Sequence, residues 1–134
     1  MKYLNLFSNK YKKVLSFDGG GVRAIIGIYF LKRLEQETSK SIFDSFDLFI
    51  GTSAGATNAL MLGVNGSSID DIEKFWTKEN LQKIMNQSFI DKTSILQTRP
   101  KYNNEGKKEI LSKFFSHKQI GKALKPVIVT AYDL

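Results

Sequence analysis

Hydrophobic residues in this chain fall into short runs whose spacing changes from one segment to the next. Runs of β-branched and aromatic residues at Val14–Phe17, 46–50 and 127–132 predict three strands, and the composition of the third is typical of a buried parallel strand. Over residues 22–37 the apolar positions instead recur at helical spacing, which predicts a helix. These positions are Ile25, Ile28, Tyr29, Leu31 and Leu34.

Helices are also predicted between and after these strands. Residues 54–62 begin with small side chains, which would let a helix lie close against a sheet. Ser68 and Asp71 nearly form a capping box for a helix that runs through Phe75 and Trp76. A further helix is predicted over 79–87, a polar loop over 91–104, and a helix over 105–115 capped by Asn104. This order predicts an α/β fold, with a parallel sheet covered by helices on both faces.

Two glycine-containing motifs follow the first two predicted strands. The sequence Asp-Gly-Gly-Gly-Val-Arg occupies residues 18–23, and Gly-Thr-Ser-Ala-Gly occupies residues 51–55. Binding and catalytic sites in parallel sheets gather beyond the carboxyl ends of the strands. We therefore expect the glycines at 19–21 and Ser53 to face the same crevice.

These residue types suit acyl transfer to a serine. Ser53, on a tight strand-to-helix turn flanked by Gly51 and Gly55, is the candidate nucleophile. Backbone amides can stabilise the oxyanion that forms when a hydroxyl attacks an ester carbonyl. The candidate donors are the amides of Gly19, Gly20, Gly21 and Ala54.

Other interpretations of the same residues remain open. Asp18 and Arg23 are expected to support the glycine loop, although Arg23 could instead present its charge to a phosphate. Ser53 could be only the N-cap of the following helix. Glycines at 19 and 21 followed by Ala24 also fit a dinucleotide-binding fingerprint, but no acidic residue ends a second strand about 20 residues later, as that site needs.

Composition excludes several classes of site. The chain has 134 residues with 42% hydrophobic and 25% charged residues, which indicates one ordinary globular domain. It contains no cysteine and one histidine, so thiolate or histidine-rich metal sites are excluded and no metal or cofactor is expected. No apolar stretch indicates a signal peptide or membrane span, and a cytoplasmic location is the expectation.

Positive charge is concentrated near the end of the chain. Residues 99–134 hold 8 basic and 3 acidic residues within a net charge of +7, and residues 1–13 form a short basic lead-in. Such a surface could contact an anionic membrane peripherally or form a plain solvated face. Nucleic-acid binding is not expected, because Phe114 and Phe115, the aromatic pair nearest to these lysines, have the spacing of core residues.

The two motifs together resemble those of the patatin-like phospholipases. That family combines an Asp-Gly-Gly-Gly-x-Arg-Gly loop with a Gly-x-Ser-x-Gly elbow, and residues 18–23 and 51–55 match them. Residues 99–103 are similar to the loop that precedes a helix in the family, and residues 125–134 are similar to its next strand. Ala24 departs from the pattern, since the family usually has glycine there.

The resemblance implies a lipid acyl hydrolase with a serine–aspartate dyad and a phospholipid or other acyl lipid as substrate. Ser53 would be the nucleophile, and the amides of residues 19–21 would form the oxyanion hole. The family's aspartate lies in a downstream Asp-Gly motif, and Asp18-Gly19 is the sequence's one Asp-Gly pair. The expectation is that residues 14–134 are the N-terminal part of a patatin-like domain whose aspartate lies beyond residue 134.

Residues within the chain offer poorer bases. Asp44 and Asp47 precede or begin the second strand, at the wrong edge of the sheet, whereas Asp133 follows the third strand at the correct edge. His117 lies in a polar run that is typical of a surface turn. The alternative function is a catalytically silent lipid-binding or interaction module, and an incomplete sheet edge would favour self-association.

Overall fold

The structure is a computed structural model that describes residues 11–84 and 104–131. It divides into two compact units, one of residues 1–74 and 118–134 and the other of residues 75–117. The predictions for residues 91–103 and for Asp133 lie outside the described residues. The two units are described in turn.

A parallel three-stranded sheet organises the first unit. Its strands are β1 (Val14–Phe17), β2 (Leu48–Gly51) and β3 (Val127–Val129), and β2 lies between the other two. Phe17 pairs with Gly51, and Gly51 pairs with Val129, so the carboxyl ends of all three strands are aligned. The predicted α/β fold with a parallel sheet is confirmed.

The two faces of this sheet differ in exposure. Phe17 and Phe49 are buried on one face, whereas Val14 and Ile128 on the other remain 46% and 54% exposed. The prediction of a buried third strand is therefore wrong for Ile128, because strand composition does not reveal which side of a strand is covered. The strand also ends at Val129, before the predicted residue 132.

Among the described residues, four α-helices belong wholly or mainly to the first unit: α1 (Ala24–Thr38), α2 (Ile42–Ser45), α3 (Ala54–Gly63) and α4 (Ile69–Phe75). The helix predicted from residue 22 begins at Ala24 instead, because residues 21–23 form a 3-10 turn. The short helix α2 was not predicted. It lies just before β2, in a segment for which no helix or strand was predicted. The Ser41 hydroxyl caps this helix by accepting a hydrogen bond from the Asp44 amide at 3.4 Å.

Apolar residues of α1 are only partly in the core. Ile28 and Leu31 are buried, whereas Tyr29 is 51% exposed although its spacing assigned it to the apolar face. Lys32 on the same helix forms ion pairs with Glu73 at 2.6 Å and Asp70 at 2.9 Å. These hydrogen bonds, first to Glu73 and then to Asp70, raise the pKa of Lys32 above its ordinary value and connect α1 to α4.

Helix α3 lies against the sheet so closely that glycine is needed at two of its positions. A Cβ atom on Gly55 would lie 2.6 Å from the Asp18 carbonyl oxygen, just beyond β1. A Cβ atom on Gly63 would overlap the Val127 side chain and approach Phe49 Cδ2 to 3.3 Å. The predicted close approach of a small-residue helix to the sheet is confirmed.

A lysine connects the start of β3 to the turn before β2. The Lys125 ammonium donates to the carbonyl oxygens of Phe43 at 2.6 Å and Phe46 at 2.8 Å. The same nitrogen lies 4.6 Å from the centre of the Phe43 ring, within the range of a cation–π contact. Lys125 therefore stabilises the amino-terminal edge of the sheet, opposite the ends that carry the glycine motifs.

The second unit contains helices α5 (Lys78–Ile84) and α6 (Asn104–Phe115). Phe75 packs edge-to-face against Trp76 and Phe114, with ring centres 5.0 and 5.1 Å apart. A Lys83–Glu109 ion pair of 2.9 Å connects α5 and α6. The helices predicted over 79–87 and 105–115 are confirmed for their described residues. No described helix in either unit is both long and apolar enough to cross a lipid bilayer.

Replacement of Gly55 by alanine tests the contact between α3 and β1. Gly55→Ala should lower the free energy of unfolding by at least about 2 kcal/mol, because its methyl group meets backbone atoms that cannot move aside. Gly27→Ala is the matched control, since its Cβ would meet Phe17 Cδ1 at an ordinary 3.9 Å. Gly27→Ala should stabilise the chain by about 0.5–1 kcal/mol. Urea unfolding measures the free energy of unfolding of both variants, and equal changes in the two would contradict the observed packing.

Replacement of Lys125 tests the connection at the other edge. Lys125→Met keeps most of the aliphatic chain but removes the charged donor from two carbonyl groups, so we expect a loss of about 2 kcal/mol. Lys122→Met is the control, because Lys122 is exposed on a 3-10 turn. Chemical unfolding that gave the same midpoint for the two variants would show that the Lys125 hydrogen bonds contribute little.

Candidate active site

The two glycine motifs meet at the carboxyl edge of the sheet. The Thr52 amide donates to the Phe17 carbonyl oxygen at 3.2 Å and continues the contact between β1 and β2 past the end of the strands. A Cβ atom on Gly19 would lie 3.2 Å from both Ser53 Cβ and the Thr52 carbonyl oxygen. The structure therefore brings the start of the glycine loop directly against Ser53.

Ser53 has an unusual backbone conformation. Its φ is 54° and its ψ is −125°, whereas L-residues rarely adopt positive φ. Such a conformation costs about 1–3 kcal/mol and persists only where the surroundings impose it. Ser53 occupies the N-cap position of α3, but its side chain makes no capping hydrogen bond, and the residue is exposed. Its hydroxyl is therefore not used to cap the helix.

The flanking glycines explain why the chain adopts this turn. A Cβ atom on Gly51 would lie 2.6 Å from the Gly55 carbonyl carbon and 2.7 Å from Ala56 Cα. The turn is closed by hydrogen bonds of 2.9 Å from the Gly55 amide to the Thr52 carbonyl and from the Ala56 amide to the Ser53 carbonyl. Strand β2 and helix α3 are thus joined by a tight turn in which Ser53 has the strained backbone conformation.

The glycine loop turns sharply before α1. Gly20 and Gly21 have φ values of 138° and 61°, a region that favours glycine. The Arg23 amide donates to the Gly20 carbonyl at 3.3 Å, and the Arg23 Nε atom lies 3.5 Å from the same oxygen. The Arg23 side chain thus folds back over the loop. Asp18 is exposed, while its carbonyl oxygen lies against Gly55.

Backbone dipoles at this edge favour negative charge. Ala54 is the first residue of α3, and the amides of a helix's first turn have no acceptor within the helix. The helix dipole adds a partial positive charge at the same end. An anion formed beside Ser53 would therefore lie near a helix N-terminus and near a turn of three glycines.

Two of the acidic residues considered as bases lie at the opposite edge of the sheet. Asp44 is in α2 and Asp47 directly precedes β2, both at the amino-terminal edge of the sheet, as predicted. The Lys13 amide donates to Asp47 Oδ2 at 2.9 Å and lowers the pKa of this carboxyl group. His117 is exposed in the turn after α6 in the second unit, which confirms the predicted surface turn.

One buried polar residue near this edge was missed by the sequence analysis. Asn58 in α3 is 0% exposed, and its Nδ2 atom donates to the Ala24 carbonyl oxygen at 3.1 Å. The available signal was an amide side chain within a helix of small and apolar residues. Among the described residues, no three histidine, cysteine or acidic side chains are grouped to hold a metal ion.

Comparison with known proteins assigns the chain to a family. Patatin-like protein 4 of Arabidopsis thaliana is 30% identical over 99% of this chain and 35% of its own length. Patatin-like protein 2 of Oryza sativa subsp. indica is 31% identical over 93% of this chain and 35% of its own length. Human calcium-independent phospholipase A2-gamma is 33% identical over 57% of this chain and 10% of its own length.

The chain thus spans about a third of the length of the plant relatives. A family model described as patatin-like phospholipase matches residues 15–133, which include both glycine motifs, β2, β3 and all of β1 except Val14. The resemblance inferred from the two motifs is confirmed, and this chain belongs to the patatin-like phospholipase family.

Proposed function

We propose that this chain carries the nucleophile and oxyanion hole of a serine-dependent lipid acyl hydrolase. The observation that carries the proposal is the conformation of Ser53, which is strained, exposed and not used as a helix cap. Strain of this kind at a strand-to-helix turn is a feature of serine nucleophiles. Family membership and the phospholipase names of two relatives, the human protein and phospholipase A I of Arabidopsis thaliana, support a lipid ester as substrate.

In the proposed reaction, the Ser53 hydroxyl attacks the ester carbonyl of an acyl lipid and gives up its proton to a base. The carbonyl oxygen becomes an oxyanion, stabilised by the amides of Gly19, Gly20, Gly21 and Ala54. The alcohol leaves with a proton, and water then hydrolyses the acyl-serine ester. Removal of one such donor typically raises the barrier by about 3–4 kcal/mol.

The other motif residues have supporting roles in this proposal. Gly51 and Gly55 allow the close turn that presents Ser53, while Asp18 and Arg23 support the loop through the contacts described above. The base is an aspartate that forms a dyad with Ser53. We place it outside residues 1–134, because Asp18-Gly19 is the one Asp-Gly pair in this sequence. Residues 14–134 would then be part of a longer patatin-like domain.

A fluorophosphonate probe tests whether Ser53 is activated. A reactive serine forms a bond to phosphorus with loss of fluoride, and intact-mass analysis detects the adduct. Because the proposed base lies outside residues 1–134, we expect one adduct on the wild-type chain when a segment that supplies the aspartate is present, and none on Ser53→Ala under the same conditions. Ser112→Ala is the control, because Ser112 is an exposed serine on α6 and should leave labelling unchanged.

Each other outcome has a definite meaning. An adduct that persists in Ser53→Ala would remove Ser53 from the role of nucleophile. A folded wild-type chain that reacts only when that segment is present would be an incomplete catalyst on its own, as proposed. A folded chain that forms no adduct even with the segment would favour the catalytically silent lipid-binding or interaction module.

We also propose peripheral contact with anionic lipid surfaces through the exposed lysines of α6, namely Lys107, Lys108 and Lys113. Each lysine near such a surface contributes about 1 kcal/mol. Replacement of all three by glutamine should weaken binding to phosphatidylserine-containing vesicles by about 100-fold, whereas Lys40→Gln, an exposed control, should have little effect. Co-sedimentation at two salt concentrations measures this, and binding that is independent of salt would contradict an electrostatic contact.

A further inference from the structure

A buried amide lies beneath the loop and the turn that carry the proposed catalytic groups. Asn58 follows Ser53 by five residues along α3 and is 0% exposed. Its neighbours Ala59, Met61 and Leu62 are buried hydrophobic residues. A polar side chain in such surroundings is unfavourable unless it is hydrogen-bonded, and an aliphatic residue of similar size would fill the same space. The amide at this position therefore calls for a specific explanation.

One hydrogen-bond partner of Asn58 lies at the end of the glycine loop. Its Nδ2 atom donates to the carbonyl oxygen of Ala24 at 3.1 Å. Ala24 is the first residue of α1 and directly follows the 3-10 turn of residues 21–23. A carbonyl in the first turn of a helix already faces an amide four residues later. The bond to Asn58 is thus an additional connection and is not required to satisfy an otherwise unpaired carbonyl group.

This hydrogen bond joins two helices that each begin at a proposed catalytic element. Helix α3 begins directly after Ser53, and α1 begins directly after the loop of residues 19–23. Within the loop, the Arg23 amide donates to the Gly20 carbonyl oxygen at 3.3 Å and the Arg23 side-chain contact is longer, at 3.5 Å, while Gly20 and Gly21 are conformationally permissive. The Asn58 bond has an ordinary length of 3.1 Å, and it is buried and shielded from competition with water.

We infer that Asn58 is a positioning residue that fixes the glycine loop relative to Ser53 by holding the first turn of α1 against the second turn of α3. Its catalytic consequence rests on the proposed function, because oxyanion donors must lie about 2.7–3.1 Å from the developing charge. A displacement of about 1 Å in such a site can reduce the rate by about 100-fold. Asn58 itself does not touch the reacting atoms.

The first test measures the position of the loop and does not require activity. Asn58→Leu keeps the number and branching of the side-chain heavy atoms, with methyl groups larger than the amide oxygen and nitrogen, and removes the donor. Hydrogen exchange followed by NMR gives the acceleration of each amide relative to wild type. The acceleration at the Arg23 and Ala24 amides should exceed that at the Phe49 and Thr52 amides of the sheet by at least about 10-fold. Met61→Ala is the control, since Met61 is buried in the same helix and should accelerate exchange at all four amides by a common factor.

Equal acceleration of exchange at all four amides in Asn58→Leu would overturn the inference, because it would show that Asn58 is a core residue with no specific effect on the loop. Asn58→Ala provides the same comparison if the leucine variant does not fold, since alanine also lacks the donor and introduces no overpacking. The quantity compared between variants is the ratio of the exchange rates at the Arg23 and Ala24 amides to those at the Phe49 and Thr52 amides, so that a change in global stability, which affects all four amides alike, does not enter the comparison.

The second test measures the consequence for chemistry. If the wild-type chain reacts with the fluorophosphonate, Asn58→Leu should react about 10-fold to 100-fold more slowly, while Met61→Ala should react at nearly the wild-type rate. With an ester substrate, kcat should fall and KM should stay unchanged. Equal rates for wild type and Asn58→Leu would overturn the catalytic part of the inference. If the wild type does not react even with the segment that supplies the aspartate, the proposed function fails for this chain, and the exchange experiment alone decides the positioning role.

Discussion

The close contact between the N-terminus of α3 and the carboxyl ends of β1 and β2 is the constraint on which the candidate site depends. Gly51 and Gly55 permit this contact, because a Cβ atom at either position would overlap backbone of the neighbouring element. Once strand and helix are this close, the connecting residue has little conformational freedom, and Ser53 is held at positive φ. The same approach brings Gly19 to Ser53. Both proposed catalytic elements thus follow from one packing contact between backbones.

The two edges of the sheet have different physical roles. At the amino-terminal edge, Lys125 binds two carbonyl groups and Asp47 accepts a hydrogen bond from the Lys13 amide, so charged side chains satisfy backbone atoms there. At the carboxyl edge, backbone groups and glycines dominate, and the strain at Ser53 must be offset by the rest of the fold. Buried contacts beneath the site, including Phe49 and the Asn58 hydrogen bond, stabilise the arrangement from within the core.

Much of the fold was predictable because its signals are local. Strand composition, the small residues of α3 and the positions of the two glycine motifs predicted a parallel sheet with both motifs at one edge, and the structure has this arrangement. The exposure of Tyr29 and Ile128 was not predictable, because helical or strand periodicity identifies a face but not what covers it. The short helix α2 depends on a capping hydroxyl at Ser41 within a segment too short for a periodic signal. The role of Asn58 depends on a partner 34 residues away in sequence.

The departure from the family motif at Ala24 has a simple physical explanation. Its backbone lies in the ordinary right-handed helical region, with φ of −59° and ψ of −18°, so the position does not require glycine for its conformation. Alanine favours a helix by about 1 kcal/mol over glycine, and Ala24 as a whole is 9% exposed, so it adds buried apolar surface at the start of α1. The group of Ala24 that bonds to Asn58 is its carbonyl oxygen, which every residue type provides. Substitution at this position therefore leaves the connection between the loop and α3 intact, whereas substitution at Gly51 or Gly55 would remove the contact that creates the site.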